Sequence, residues 1–376
     1  MPTFGISELT DATGSDCLGL PVVSSFRKSG KTVRLHFGKG LTLDDASTGA
    51  LMEAVEFAVA ENESARGPDL WLSTSELCAA LPRGLSLGDF APRLGVAPPQ
   101  GQSMPAVYCE EIISRTEVLL PAELVLVPYS LDGAALFGWS TNGLASGNTL
   151  EEATLHALLE ILERDSLAMN IARDDSHIVR NASLPPPFQQ LVPKWQTLGI
   201  ELTVHFLPNQ FELPCFEAVI QEAAYDDLQL VRGWGCHLDS RIALSRAVCE
   251  AAQSRIAVIE GRRRDRGRRP NAPTARAKPR QMPRRATTAS KAIDFAAVPA
   301  TSYNSVRSAT RDLQVRLADA GITRVFRRRM HFNCEPGVLL GLHVVKVVVP
   351  LCETALGPHV RMGPRLWKRV AERAGA

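Results

Sequence analysis

Three times along this chain a glycine-rich stretch leads into a helix-forming stretch whose polar side carries glutamates. The first is GKG at 38–40, followed by LDDASTGALMEAVEFAVAENE at 43–63. The second is GWSTNGLASGN at 138–148, followed by TLEEATLHALLEILERDS at 149–166. The third is GWGCHLD at 233–239, followed by SRIALSRAVCEAAQSRIAVIE at 240–260. Read as turns, such stretches free main-chain N–H groups at helix starts, where phosphates bind.

The second helix shows the pattern best. Thr149 and Glu152 predict a capping box that starts it. With Glu152 set at 0° and steps of about 100°, His156, Glu160, Glu163 and Arg164 fall within about 120° of arc. Leu155, Leu158, Leu159 and Leu162 occupy the other side. In the first helix Glu53 and Glu56 share a side, and Leu51, Met52, Val55 and Val59 mark the buried one. Asp44 and Asp45 sit at its positive end. In the third, Arg246, Glu250 and Gln253 span about 60°, opposed by Leu244, Val248, Ala251 and Ala252. Each face alone also fits a helix side turned to solvent.

The three together imply more. Two carboxylates about 6 Å apart repel by roughly 3 kcal/mol at an effective dielectric of 20. If Glu53, Glu56, Glu160, Glu163 and Glu250 converge, they need cations. A hard divalent ion with oxygen ligands is the natural counter-charge, Mg²⁺ above all, and Mg²⁺ completes its shell with substrate phosphates. Arg164 and Arg246 would then hold phosphate oxygens. No Walker A pattern is present, since GKG lacks the upstream glycine and the following Ser or Thr.

The rest of the chain sets bounds. At 376 residues and 45% hydrophobic it can bury a large core. The net charge is +2, but residues 261–291 hold 12 of the 42 Lys and Arg and 1 of the 40 Asp and Glu. The body is therefore acidic, 30 basic residues against 39 acidic, with a basic strip through it. The strip is rich in proline and alanine, which predicts a disordered insertion. It carries no aromatic residue between its charges, so a stacking mode of nucleic-acid binding has no support. The eight cysteines form no CxxC pair, which argues against a structural zinc site, and free thiols fit a cytoplasmic protein. No apolar run reaches 18 residues, so no membrane span is expected. Strands are predicted at 18–26, 32–37, 122–130, 200–207, 216–223 and within 338–349, and another helix at 304–322. Residues 64–105 read as loops with one short helix.

The segments STNGLASGNTLEEATLHALLEILERDS and GWGCHLDSRIALSRAVCEAAQSR resemble the signature motifs of the YcaO family, and GKGLTLDDASTGALMEAVEF resembles its first glutamate helix. VVKVVVPLCETALGPHVRMGPR resembles its late strand and tail. The resemblance implies one large α+β domain over 10–365, interrupted by 261–291, with strands backing the glutamate helices. It implies an ATP- and Mg²⁺-dependent enzyme that activates peptide backbone amides. Glu53, Glu56, Glu160, Glu163 and Glu250 match magnesium glutamates. Asn148, Glu152, Arg164 and Arg246 match nucleotide contacts. Lys39, Gln253 and Arg255 match motif positions without an assigned role, and no catalytic residue is assigned.

There are departures. Phe57 stands where an arginine is common, and Gly49 where some members have serine. Residues 324–340 read unlike the family. The stretch PVVSSFRKSGKTVRLHFGKG is more similar to members that work beside a TfuA protein and form thioamides. The alternatives are an azoline-forming cyclodehydratase and a non-catalytic scaffold of the same fold. About 20 residues precede the first expected strand, too few for a leader-binding domain, so a TfuA-like or other partner is expected to present the peptide. The resemblance alone suggests a homodimer.

Overall fold

Strands β1 (Ile6–Asp11), β2 (Val22–Ser29) and β3 (Thr32–Lys39) form an antiparallel sheet in chain order, and helix α1 (Leu43–Ala65) packs across it. This computed structural model describes residues 2–374 except 31, 100, 131–134, 223–229, 267–290, 333–340 and 355–359. Next come β4 (Leu70–Ser73), α2 (Thr74–Ala80), β5 (Ser103–Glu111), β6 (Glu117–Pro121) and β7 (Leu144–Gly147). Helix α3 (Leu150–Ala172) follows, then β8 (His177–Val179), α4 (Phe188–Thr197), β9 (Ile200–Phe206), β10 (Cys215–Glu222) and β11 (Val231–Cys236). The chain continues with α5 (Ser240–Arg266), β12 (Ala292–Ile293), α6 (Val306–Asp319), β13 (Phe326–Arg329), β14 (His343–Val348) and α7 (Pro364–Ala374).

A five-stranded sheet has the order β11-β10-β9-β8-β12, and a six-stranded one runs β4-β5-β13-β14-β7 with β6 beside β5. The architecture is α+β, as the sequence implies. In every sheet one end of the order is a strand that feeds a glutamate helix: β3, β7 or β11. The glycine-rich stretches therefore end in edge strands: Gly38, Gly147, Gly233 and Gly235 lie in β3, β7 and β11, while 138–143 stay irregular or turn.

Their glycines serve close packing. A Cβ on Gly38 would lie 1.9 Å from the carbonyl oxygen of Ala46, one on Gly147 2.5 Å from the Ala153 nitrogen, and one on Gly235 2.2 Å from the Ala243 oxygen. The facing helices answer with alanines. Ala46, Ala50 and Ala54 in α1, Ala153 and Ala157 in α3, and Ala243, Ala247 and Ala251 in α5 are all fully buried. Each set is spaced by four, one helical face against a side-chain-free strip of strand. The buried side of α1 thus differs from expectation. Val55 and Val59 are buried, but Leu51 and Met52 are only partly so.

Other expectations change too. Residues 122–130 are not a strand. Ala122–Leu124 is a short 3-10 turn, and Glu123 accepts the Phe137 and Gly138 N–H groups at 2.9 and 2.6 Å. Pro121 precedes the segment and Pro128 lies within it, and neither has an N–H to give a strand ladder. Residues 64–105 hold β4 and the start of β5 as well as α2. The unfamiliar stretch 324–340 supplies β13, inside the six-stranded sheet. Its charges are matched there: Arg327 reaches Glu110 at 2.6 Å, and Arg328 reaches Glu63 at 2.9 Å and Asp69 at 2.8 Å. Helix α5 runs to Arg266, into the basic strip, and 267–290 lie outside the described residues.

Replacing Gly38 by alanine drives a methyl group into the α1 backbone. The expected loss is about 2–3 kcal/mol, an overpacking cost, visible as a lower midpoint of urea unfolding.

Candidate active site

Helix α1 is capped by Thr42, which accepts the Asp45 N–H, and α3 by Thr149, which accepts the Glu152 N–H. Only half of the expected capping box forms. The Glu152 carboxylate instead accepts the N–H of Asn148 at 3.0 Å, one residue upstream of the cap. Asp239 accepts the Arg241 N–H at 2.7 Å at the start of α5.

With their starts fixed, the helices deliver glutamates to strand edges. Glu53 of α1 accepts the Phe37 N–H of β3 at 2.9 Å. Glu56 of α1 crosses to β7 and accepts the Ser146 N–H and Oγ–H at 2.9 and 2.6 Å. Glu163 of α3 crosses to β11 and accepts the Cys236 N–H at 3.0 Å. Glu250 of α5 returns to β3 as an ion pair with Lys39. The three strand–helix units therefore hand side chains around a closed ring. Unpaired N–H groups on sheet edges, which otherwise invite further strands, are satisfied by carboxylates.

Electrostatics show how crowded the ring is. Burial, then Glu160 and Glu53, push Glu56 up to about 8 against its Ser146 hydrogen bond. Burial and Glu250 raise Glu163 to about 7 against Arg246 and Arg164. Glu53 and Glu160 are also raised, chiefly by burial. Glu250 alone is lowered: burial opposes it, but Lys39, Arg164 and Arg246 hold its charge. Arg164 stands 4.0 Å from Glu160 and 3.9 Å from Glu163, and its buried Nε has no hydrogen-bond partner. His156 contacts the Ser146 carbonyl at 3.3 Å and is lowered by burial and Arg246. The same two causes hold His237 down to about 4, which favours neutral imidazoles here.

A cleft of about 770 Å³ opens above the ring. Glu53, Glu56, Glu160, His156, Lys39 and Arg246 line it. Glu163, Glu250 and Arg164 do not line it, although each interacts with residues that do. Asn148 and Glu152 bond to each other at the start of α3, off the lining. Gln253 lines the cleft, whereas Arg255 is buried beneath and pairs with Asp16 at 2.9 Å and Glu222 at 2.5 Å. Cys236 and Cys249 are buried in the core. Gly49 lines the cleft, and Phe57 packs 5.0 Å from the His36 ring.

The sequence reading missed the Ser146 hydroxyl, the three main-chain donors, and the cleft walls Leu41, Arg241, Ile242 and Ser245. Only the position of Ser146, on the strand before α3, could have marked it.

Residues 37–353 match the model of the YcaO cyclodehydratase family, described as ATP- and Mg²⁺-binding. The chain belongs to the YcaO family. A protein in the tfuA 3′ region of Rhizobium leguminosarum bv. trifolii is 34% identical over 275 residues, which span 70% of this chain and 64% of that one. A protein of Methanothermobacter thermautotrophicus is 32% identical over 270 residues, 70% of this chain and 68% of its own. The chain thus spans about two thirds of these relatives' length. Among solved structures, a heterocyclase in complex with substrate and cofactor superposes with TM-score 0.73 at 22% identity, covering 99% of this chain and 53% of that one. YcaO from Methanopyrus kandleri, bound with AMPPCP and Mg²⁺, gives 0.67 at 23% identity, covering 93% and 86%. Both share the YcaO fold.

The ring suits the ligands this YcaO family binds. Half-buried Glu56 and buried Glu163, held above their ordinary range, lack positive charge, and Arg164 keeps an unused donor. Among the described residues no three His, Cys, Asp or Glu side chains could hold a metal ion by themselves.

The raised carboxylates set a pH dependence. Their ordinary value is 4.5, so from about pH 4.5 to 8 the folded chain keeps protons that the unfolded chain has lost. Without metal, stability falls as pH rises through that window. Urea unfolding in EDTA should show it, Glu56→Gln should flatten it, and Mg²⁺ with ATP should offset it.

Proposed function

We propose that this YcaO protein uses ATP and Mg²⁺ to activate a backbone amide of a peptide, and that the product is a thioamide. The observation that carries the reading is the ring of buried and half-buried glutamates and cations around one large cleft. Glu53, Glu56, Glu160, Glu163 and Glu250 would hold the metal, and Arg164, Arg246 and the Asn148–Glu152 pair would contact the nucleotide. Bound Mg²⁺ would neutralise phosphate charge during transfer. Phosphoryl transfer asks mainly for positioning and charge neutralisation, which such a ring provides without a nucleophilic side chain.

In balance, hydrosulfide forms a C–S bond to the amide carbon, and the amide oxygen accepts the γ-phosphoryl group as ADP departs. The C–O bond then breaks, phosphate carries the oxygen away, and the S–H proton is released.

The relative from the tfuA region supports the thioamide reading and a TfuA-like partner that presents the peptide or supplies sulfur. The family description, cyclodehydratase, favours azoline formation as the second reading. The seven described cysteines are free, and no described helix is long and apolar enough to cross a membrane. A cytoplasmic enzyme is the location we propose.

Mass spectrometry of the treated peptide separates the readings: a thioamide exchanges oxygen for sulfur, and an azoline loses one water. ADP release should require Mg²⁺ and peptide and vanish in Glu160→Gln. No turnover in the wild type with peptide, sulfide and a TfuA protein present leaves a scaffold instead. Lys39→Met removes the ammonium paired with Glu250. It should tighten Mg²⁺ binding in the absence of nucleotide, read by calorimetry, and weaken ATP binding.

A further inference from the structure

A second, smaller cavity of about 50 Å³ lies behind the cleft. The two share a wall. Ile161 lines the small cavity and its neighbour Glu160 lines the cleft; Lys346 lines the small cavity and its register partner Leu144 lines the cleft.

Two cations border the small cavity. Lys346, 2% exposed, donates to the carbonyl oxygens of Ser140 and Asn142, each at 2.6 Å. Arg361 is pinned by the carbonyl oxygens of Phe90 and Ala91 at 2.6 and 2.8 Å and lies over the Phe137 ring. These bonds leave donors over. One N–H of Lys346 and the Nη1 group of Arg361 have no hydrogen-bond partner among the described residues. The buried Asn142 side-chain oxygen also lacks a partner, and turning that amide over would aim its NH₂ instead.

The counter-charges are unequal. Arg361 has Glu123 and Glu353 nearby, each already accepting two main-chain N–H groups. The opposite charge acting on Lys346 is Glu160. Once Glu160 is committed to a metal ion in the cleft, the buried amine has only carbonyl dipoles to hold its charge, and an anion in the cavity would keep it protonated.

We propose that the cavity between Lys346 and Arg361 binds a small inorganic anion that is used or released in the adjoining cleft. The inference rests on the amide-activating reading of that cleft, which offers two sources: hydrosulfide entering or phosphate leaving.

The test begins with crystals of the full chain soaked in sodium bromide. An anomalous peak beside Lys346 is expected, absent in Lys346→Met; no peak in the wild type overturns the proposal. Steady-state kinetics then separates the sources. If the anion is hydrosulfide, Lys346→Met raises its KM roughly ten- to hundredfold, the loss of a charge-assisted contact, and leaves the KM for ATP within about twofold. If it is phosphate, the hydrosulfide KM holds and product inhibition by inorganic phosphate is lost. Unchanged hydrosulfide KM and unchanged phosphate inhibition together overturn it. Asn142→Asp, nearly isosteric, adds repulsion and should give the same shifts should Lys346→Met fold poorly. A bromide peak in a protein that makes no thioamide sinks the thioamide reading and leaves the anion site standing.

Discussion

A carboxylate accepting a main-chain N–H from the edge of a neighbouring sheet is the interaction on which the rest of this structure depends. Glu56 ties α1 to β7, and Glu163 ties α3 to β11. The Lys39–Glu250 pair closes the circuit from α5 to β3. An edge strand with free N–H groups is ordinarily a hazard. Here the edges face inward and acids occupy them, so the same groups that end each sheet orient the charged side chains of the cleft.

This arrangement costs stability wherever no cation balances it. Burying carboxylates beside one another favours their protonated forms, and only Glu250 has a cation close enough to reverse that. The ring is thus built for positive charge it does not itself supply in full. Such local destabilisation is common where a fold holds a polyanionic ligand, and the alanine–glycine interfaces beneath, with nothing to rearrange, keep the glutamates in place while unbalanced.

Much of this was legible in the sequence. The three glutamate faces followed from helical periodicity alone, since i, i+3 and i+4 spacing is local information. The family motifs gave the α+β class. What was illegible depends on distant partners. Glycine runs look like turns until a helix is known to lie against them, and the alanines at 46, 50 and 54 look neutral until the strand below has no side chains. Arg327 and Arg328 look foreign to a core, yet Glu110, Glu63 and Asp69 neutralise them across the fold. Lys346 falls within 338–349, where a strand is predicted, but nothing in the sequence showed its ammonium folded back on two carbonyl groups.

The Lys39–Glu250 pair joins residues 211 positions apart. Contacts this distant carry a large loop-closure entropy and form late. During synthesis α1 must emerge long before α5 exists, when Glu53 can already accept the Phe37 N–H but Lys39 has no Glu250 to pair with. The ring therefore closes only in the longer chain: a nascent fragment ending before residue 250 can form the Glu56–Ser146 and Glu163–Cys236 ties but lacks the one that returns to β3.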